Sequence, residues 1–512
     1  MYDAFYPGQV WLDTNGNRIQ AHGGSLIYLD GMYYWYGENK EKTDKAAGIW
    51  HWGVRYYAST DLYNWEDRGL LIPPVTDDPN SSLHPTSMMD RPHIIYNART
   101  KKYVCWLKIM EKDQTQTETV LTADSFFGPY TIVREKLRPL GMSAGDFDLA
   151  VAPDGKAYYF FERVHVHYPD GTTLGARPGD EQQFDPGVLT EGKTTWLYSG
   201  FCPPLMPGRT GALCYRLAPD MLTVEQTYPA VVPGAQTAKG TGFEGHAFFE
   251  ASSIRKVGDT YYFIYSSELS HELCYAVSDS PCRGFVYGGT LVDNADLGLC
   301  DTARYFTGNN HGSIEQINGC WYVFYHRHTN SSLFCRQGMV EPIEILPDGR
   351  IPQVEITTSG PNGAPLPAVE LRELPAYAAC NLYMTQPPQV NAEAGQNPFP
   401  YITQDGADVM PESESKPEAY ICNLTPGTVV GFKYLNFQNV TKVSVKTRGM
   451  CYYGGFDVLL TADGEPIGTV SAARGNEWTW QTTELAIPDG ISAIYFRMKG
   501  YGTLSLAAAK FH

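Results

Sequence analysis

The segment at residues 249–265 reads Phe-Glu-Ala-Ser-Ser-Ile-Arg-Lys-Val-Gly-Asp-Thr-Tyr-Tyr-Phe-Ile-Tyr. It places one carboxylate, Glu250, before an apolar run, a Gly-Asp pair and a tyrosine-rich run. Glycine accepts the positive φ of a tight hairpin turn, and aromatic residues favour strands. The segment is therefore predicted to form strand, turn and strand, with the acid at the start of the first strand.

The same pattern of apolar strand, turn and aromatic strand occurs five times along the chain. The five copies occupy residues 25–35, 94–104, 149–159, 249–265 and 313–323. Repeats of this kind suit the four-stranded blades of a propeller with variable loops. We therefore predict a five-bladed β-propeller over residues 1–353, with a β-sandwich of irregular hairpins as the alternative.

The composition of the chain changes after the fifth copy. Residues 354–379 are rich in proline and glycine, which predicts a packed linker. Residues 380–512 contain alternating segments such as Val-Ser-Val-Lys-Thr at 443–447, which are typical of antiparallel sandwich strands. No long segment has helical periodicity. The predicted fold class is therefore all-β, a propeller followed by a β-sandwich of jelly-roll type.

Composition narrows the possible functions. The 512 residues are 43% hydrophobic and 19% charged, and the net charge of −17 argues against nucleic acid or an anionic membrane as a partner. No apolar run approaches the about 18 residues of a membrane span. The 11 cysteines lack zinc spacing, and the first residues lack the features of a signal peptide. We expect a cytoplasmic protein with reduced thiols; a secreted protein whose signal peptide was removed is the alternative.

Polar residues near the hairpins are the candidate functional groups. The innermost strands of a propeller line a central funnel, so the residues just before each hairpin meet at one mouth. Carboxylates and histidines that converge there suit acid and base chemistry. The candidates are His22, Glu38, Asp90, Arg91, Asp146, Asp148, Glu250 and His311. A turn cap is the structural alternative for Asp146, and a hydrogen-bonded core histidine is the alternative for His311.

Residues from about 15 to 355 resemble glycoside hydrolase family 43. The resemblance rests on residues 20–24 (Gln-Ala-His-Gly-Gly), 33–38 (Tyr-Tyr-Trp-Tyr-Gly-Glu), 249–253 (Phe-Glu-Ala-Ser-Ser) and 308–313 (Gly-Asn-Asn-His-Gly-Ser). It implies a five-bladed propeller enzyme that hydrolyses glycosides with inversion. More weakly, residues 380–512 resemble a family 6 carbohydrate-binding module.

The resemblance also implies roles for individual residues. By position, Glu250 matches the general acid, and Asp146 matches the aspartate that orients this acid and adjusts its pKa. The usual base is an aspartate of the first blade, but Gly23 occupies that position. A subgroup that acts on β-1,3-galactans also lacks this aspartate and shares a carboxylate-Arg-Pro segment, here residues 90–92. The base candidates that stay open are Asp90, Glu38 and His311.

The resemblance implies an exo-acting, inverting glycosidase that releases galactose from plant arabinogalactan-type oligosaccharides. An α-L-arabinofuranosidase or β-xylosidase is the alternative, because the segments after residue 243 look like those members. A non-catalytic sugar-binding propeller is a third. The expected substrate-binding residues are Glu38, His22, Arg91 and Trp35. In parts of the family a histidine at the place of His311 helps to hold a central calcium ion, so calcium is the one expected cofactor. The sequence makes no prediction about oligomeric state.

Overall fold

The computed structural model describes most of the chain. The described residues are 11–44, 46–112, 116–137, 149–151, 157–159, 182–191, 194–202, 211–217, 224–331, 336–362, 365–384, 399–405 and 419–512. Asp146 and Asp148, two of the predicted site residues, lie outside these ranges. No helix among the described residues is long and apolar enough to cross a membrane.

The first part of the chain is a β-propeller of antiparallel blades, as the repeated hairpins predict. Blade 1 contains β1 (His22–Leu29), β2 (Met32–Glu38), β3 (Val54–Ser59) and β4 (Glu66–Ile72). Blade 2 contains β5 (Met88–Asn97), β6 (Lys102–Met110), β7 (Gln116–Ala123) and β8 (Thr131–Leu137). In each blade the strands follow one another in chain order. The first strands of the two blades contact each other, which places them on the inner side.

The third unit departs from this regular pattern. The hairpin predicted at residues 149–159 forms a separate two-stranded sheet from β9 (Leu149–Val151) and β10 (Ala157–Tyr159). A four-stranded sheet follows, made of β11 (Gln182–Glu191), β12 (Thr194–Cys202), β13 (Gly211–Leu217) and β14 (Val224–Pro233). β9 contacts β5 of blade 2, and β11 contacts the next blade.

Blades 4 and 5 complete the propeller. Blade 4 contains β15 (Phe248–Val257), β16 (Thr260–Ser267), β17 (Glu272–Ser278) and β18 (Val286–Asp293). Blade 5 contains β19 (Ser313–Ile317), β20 (Cys320–His328) and β21 (Arg336–Ile343). The second strands β6 and β16 are buried along almost their whole length. Because blades pack on both faces of such strands, these strands have continuous apolar runs instead of alternation.

The predicted hairpin turns have the expected backbone conformation. Asp30 and Gly31 join β1 to β2 with φ of 49° and 84°, and Asn318 and Gly319 join β19 to β20 with φ of 50° and 84°. Two successive residues with positive φ match a type I′ turn, whose twist suits a two-residue hairpin. The turn chemistry that identified the repeats is therefore confirmed at these two blades.

A β-sandwich follows the propeller and forms one extended sheet system. Its strands are β22 (Leu366–Pro367), β23 (Leu374–Pro375), β24 (Asn381–Tyr383), β25 (Tyr401–Gln404), β26 (Ala419–Leu424), β27 (Val429–Phe437), β28 (Lys442–Leu459), β29 (Gly468–Ser471), β30 (Gly475–Glu484) and β31 (Gly490–Phe511). Its core includes Phe432, Phe456 and Phe496, all fully buried. β22 and β23 lie in the segment predicted as a packed linker and pair with β27 and β31.

Buried polar contacts join the sandwich to the propeller. Lys433 Nζ of β27 lies 2.8 Å from Asp296 Oδ2 and 2.8 Å from Glu355 Oε1. Arg327 of β20 donates to the carbonyl oxygens of Ala379 and Tyr377 at 2.6 Å each. A buried charge is stable only when it is paired and hydrogen-bonded, so these contacts fix the two parts in one arrangement.

Candidate active site

The inner strands of blades 1, 2 and 4 share one irregularity near their first residues. In each, the register gains one extra residue over three positions, between His22 and Ser25, between Asp90 and His93, and between Glu250 and Ser253. The residue after each site residue has positive φ: Gly23 at 60°, Arg91 at 53° and Ala251 at 61°. A β-bulge of this kind redirects a side chain. The three bulges therefore set His22, Asp90 and Glu250 at the same end of their blades.

Glu38 is the centre of the first cluster and is fully buried. Lys40 Nζ lies 2.8 Å from Glu38 Oε2, His22 Nδ1 lies 3.2 Å from Oε1, and the Arg91 backbone N–H donates to Oε1 at 3.0 Å. Burial alone would raise the pKa of Glu38, but the His22 and Lys40 contacts outweigh it and hold the pKa well below its ordinary value. Glu38 is therefore ionised at neutral pH and fixed in position.

Asp90 lies beside this cluster in a different electrostatic state. Its Oδ1 accepts a hydrogen bond from Trp50 Nε1 at 2.9 Å, and Lys40 Nζ and Lys108 Nζ lie 3.6 and 3.4 Å from its two oxygens. Burial, followed by the neighbouring Glu38 carboxylate, raises the pKa of Asp90 to about 6. Asp90 therefore changes its charge just below neutral pH, while Glu38 does not.

Gly23 occupies the position at which the resemblance expects an aspartate. A Cβ atom at this position would lie 2.6 Å from Glu38 Oε1, and the backbone has φ of 60°. Real Cβ contacts are longer, and side chains other than glycine are strained at this φ. The Glu38 carboxylate thus fills the space beside Gly23, and an aspartate at this position would have to displace it.

The second cluster joins blades 4 and 5 through Glu250 and His311. His311 Nε2 lies 2.9 Å from Glu250 Oε1, and the Asn309 amide nitrogen lies 3.3 Å from the same Nε2. The His311 ring packs against His326 with centroids 5.2 Å apart, and His326 Nε2 donates to the Asn309 carbonyl oxygen at 2.9 Å. Burial lowers the pKa of His326 well below its ordinary value. His326 is therefore a neutral support behind His311.

Two other predicted residues have different surroundings. His22 is 73% exposed at its side chain, and the Glu38 carboxylate raises its pKa. Trp35 packs between Trp11 and Trp65, with ring centroids 5.1 and 5.4 Å away. His22 and Trp35 also line a cleft of about 980 Å³ between β1 and β19, whereas Glu250 and Asp90 do not. The predicted sugar-binding role of Trp35 stays a prediction.

Calcium near His311 also stays a prediction. Calcium takes about six to eight oxygen ligands. Close to His311 the described oxygens are the Glu250 carboxylate and the Asn309 amide, whose Oδ1 is buried and has no hydrogen-bond partner. That oxygen could ligate an ion, but water would have to supply most of the remaining ligands.

Sequence analysis missed Lys40 and Lys108, which face the two carboxylates of the first cluster. Lys108 had a usable signal, because it is a single charge in the apolar run Cys-Trp-Leu-Lys-Ile-Met at residues 105–110. It lies directly opposite Asp90 in the register of β5 and β6. A buried lysine within a strand needs an acidic partner, so this position pointed to a nearby carboxylate.

Five-fold blades with carboxylates gathered at one end of the inner strands define a β-propeller glycoside hydrolase. The chain is 43% identical over 435 residues to a xylosidase/arabinosidase from Thermoclostridium stercorarium, a match that covers 79% of this chain and 89% of that protein. It is 26% identical over 270 residues to a β-xylosidase from Xylanibacter ruminicola, covering 51% of this chain and 70% of the relative. The chain belongs to glycoside hydrolase family 43.

The crystal structure of an exo-β-1,3-galactanase from Phanerochaete chrysosporium with galactose covers 99% of this chain and 100% of its own, with a TM-score of 0.49 and 16% identity. No family model matches the chain. As a member of glycoside hydrolase family 43 the protein is a glycosidase with a carbohydrate substrate, and the sugar that it releases is a separate question.

Proposed function

We propose that this glycosidase releases terminal pentoses, β-xylose or α-L-arabinofuranose, from the ends of short oligosaccharides. One observation carries the proposal: the 43% identity to the Thermoclostridium stercorarium xylosidase/arabinosidase over most of both chains. The blocks around Glu250 and His311 agree with it, since they resemble arabinofuranosidase-type members of the family.

In the proposed mechanism Glu250 is the general acid. It protonates the glycosidic oxygen as the bond to the sugar breaks, and His311 holds its carboxyl group in place at 2.9 Å. The Asn309 amide group also lies within hydrogen-bond distance of His311 Nε2, at 3.3 Å. In this mechanism Glu250 must carry a proton when the glycosidic bond breaks, as every general acid must.

Asp90 is the proposed general base. Its pKa of about 6 makes it ionised at neutral pH and more basic than an ordinary carboxylate. Glu38 is less suited, because its contacts with His22 and Lys40 hold its pKa well below the usual range. His311 is already bonded to the proposed acid. Asp90 would take a proton from the water that attacks the anomeric carbon, and inversion follows from attack on the face opposite the leaving group.

The test is a substrate panel with the wild type and Glu250→Gln. Nitrophenyl β-xyloside, α-L-arabinofuranoside, β-galactopyranoside and β-galactofuranoside are compared with xylo- and arabino-oligosaccharides. We expect pentoside turnover by the wild type. Removal of a general acid costs about 10²- to 10⁴-fold. The loss should be large on oligosaccharides and smaller on nitrophenyl glycosides, whose leaving group needs little protonation.

Glu244→Gln is the matched control, since Glu244 is an exposed carboxylate six residues upstream that binds the Gly240 backbone N–H. It should keep wild-type rates. Equal turnover of oligosaccharides by Glu250→Gln and the wild type would remove Glu250 from the acid role. Turnover of none of the substrates would contradict the proposal as a whole. Proton NMR of the first anomer released tests inversion.

Galactose is the second candidate sugar. The observation that favours it is the first cluster, where Gly23 and Glu38 match the pattern of the galactan-active subgroup. Asp90 begins the carboxylate-Arg-Pro segment of that subgroup, but the subgroup usually has glutamate in its place. Faster turnover of the β-galactopyranoside than of either pentoside would select this candidate. The same panel therefore separates the two proposals.

A further inference from the structure

We propose that His246, Glu272 and Cys274 form a zinc site in blade 4, separate from the proposed acid and base. The ligand atoms of these three side chains all lie within 4.8 Å of one another. His246 Nδ1 lies 2.9 Å from Glu272 Oε2, and Cys274 Sγ lies 3.6 Å from the same oxygen. Imidazole, carboxylate and thiolate are all ligands of Zn²⁺.

Local structure holds the three groups in place. Glu272 and Cys274 are two positions apart on β17, so their side chains point to the same face of the strand. His246 lies in the loop before β15, where its carbonyl oxygen accepts a hydrogen bond from Tyr265 at 2.8 Å. Its ring stacks on Tyr287 with centroids 4.9 Å apart and planes 12° apart. The site therefore links two segments that are far apart in sequence.

Hydroxyl groups orient the carboxylate from behind, as outer ligands do in metal sites. Ser267 Oγ donates to Glu272 Oε2 at 2.8 Å, and Thr290 Oγ1 donates to Oε1 at 3.4 Å. These contacts fix the carboxylate plane and leave Oε2 facing His246 and Cys274.

The spacing of the ligand atoms is close to that of a tetrahedral zinc ion. Bonds of about 2.0 Å to nitrogen and oxygen and about 2.3 Å to sulfur place neighbouring ligand atoms roughly 3.3 to 3.5 Å apart. The sulfur–oxygen distance of 3.6 Å already fits, and the nitrogen–oxygen distance of 2.9 Å must widen by only a few tenths of an ångström. Side-chain rotation alone can supply this change.

The charge of the cluster also favours a divalent ion. Among the described residues, no lysine or arginine forms an ion pair with Glu272, which is largely buried. Zn²⁺ at this position would place two positive charges next to the buried carboxylate. When Zn²⁺ binds, the thiol releases its proton to solvent and the Sγ–Zn bond forms without any redox change. The two positive charges then balance one thiolate and one carboxylate.

The donor set identifies zinc among the common cations. Calcium and magnesium prefer oxygen ligands alone, whereas a sulfur, a nitrogen and an oxygen together suit Zn²⁺. The His246 side chain is 35% exposed, so an ion can enter from solvent and water can take the fourth position. The ion would tie the loop that leads to Glu250 to the third strand of the same blade.

The test measures metal binding by the full-length protein. Protein is stripped with a chelator, dialysed, and titrated with Zn²⁺ against a chromogenic chelator, and Co²⁺ is used as a spectroscopic probe. We expect one tight Zn²⁺ per chain, a thiolate-to-cobalt charge-transfer band, and a rise in melting temperature on zinc addition. Cys274→Ser and His246→Gln should each lose at least about tenfold in affinity, and Cys274→Ser should lose the band.

Cys320→Ser is the control, because Cys320 is an exposed free thiol of blade 5. It should bind zinc as the wild type does. The proposal is wrong if the wild type binds no stoichiometric zinc, or if Cys320→Ser loses as much affinity as Cys274→Ser. If Cys274→Ser does not fold, His246→Gln decides, since His246 is partly exposed and this variant leaves the buried Cys274 unchanged.

Discussion

Trp50 offers a direct test of the base assignment, because its indole N–H donates to Asp90 Oδ1 at 2.9 Å. That hydrogen bond stabilises the ionised form of Asp90 and so lowers its pKa. Trp50→Phe keeps an aromatic ring beneath Lys40, whose Nζ lies 4.4 Å from the indole centroid, and removes only the donor. The pKa of Asp90 should therefore rise from about 6.

The size of the effect follows from the energy of the bond. A hydrogen bond to a charged group contributes about 1.5 kcal/mol, which corresponds to about one pKa unit. At pH 6 the ionised fraction of Asp90 should fall from about one half to about one tenth, a roughly fivefold loss in kcat/KM. At pH 8 Asp90 is at least about nine-tenths ionised in both the wild type and Trp50→Phe, so the loss in kcat/KM there should be small.

The assay is the pH profile of kcat/KM, which reports the pKa values of the free enzyme. A base loses activity as the pH falls through its pKa, so the acid limb should have its midpoint near pH 6 and move upward in Trp50→Phe. Trp52→Phe is the control, since the Trp52 ring contacts Lys42 at 4.1 Å in the same loop. An unmoved midpoint in Trp50→Phe, or an equal shift in both variants, would refute the assignment of Asp90 as the base.

Three further outcomes follow from the structure. Gly23→Ala should lose more stability in a urea titration than Gly31→Ala. Both variants carry the about 1–2 kcal/mol cost of positive φ, but only the new Cβ at position 23 would lie 2.6 Å from Glu38 Oε1. Equal losses would contradict the packing argument. Lys433→Met should lower the free energy of unfolding by about 3–5 kcal/mol, because it leaves Asp296 buried without its cation. Lys442→Met, at an exposed pair, should lower it by less than about 1 kcal/mol. The check is that adding Asp296→Asn to Lys433→Met restores stability. Burial raises the pKa of Glu341 to about 8, so the folded state keeps a proton that the unfolded chain loses. The free energy of unfolding should therefore fall by on the order of 4 kcal/mol as the pH rises from about 4.5 to about 8. Glu341→Gln should flatten this pH dependence, and an unchanged slope would show that another group causes it.

Hairpin periodicity was enough to predict the propeller. Glycine in the turns and apolar runs in the second strands depend on local sequence and on simple packing, so the pattern survives in the folded chain, as at Asp30–Gly31. The third unit was less predictable. The sequence analysis did not identify the strands at 182–191 and 194–202, although a Gly-Lys pair at residues 192–193 separates them in the sequence.

The candidate site was predictable only in part. Single residues such as Glu250 and His311 could be singled out, but their mutual hydrogen bond joins positions 61 residues apart and depends on blade packing. Glu38 occupies the space beside Gly23 because of a backbone bulge. Residue type does not predict such a bulge, since Arg91 and Ala251 adopt the same positive φ without being glycine. Lys40 was missed because it lies in the loop after β2, where no periodic pattern places it, whereas Lys108 carried the signal of a single charge in an apolar run.

The bulges at Gly23, Arg91 and Ala251 let each strand satisfy the packing of its blade and the orientation of its site residue independently. Downstream of each bulge, inward and outward positions are fixed by the packing of one blade on the next. Before the bulge, the extra residue shifts the alternation of side chains by one position, so the site residue points to a different face from the one that the core alternation would give it. Deletion of one bulge residue would leave the blade core in register and turn Asp90 or Glu250 to the opposite face. A single deletion of this kind could therefore abolish hydrolysis and leave the propeller stably folded.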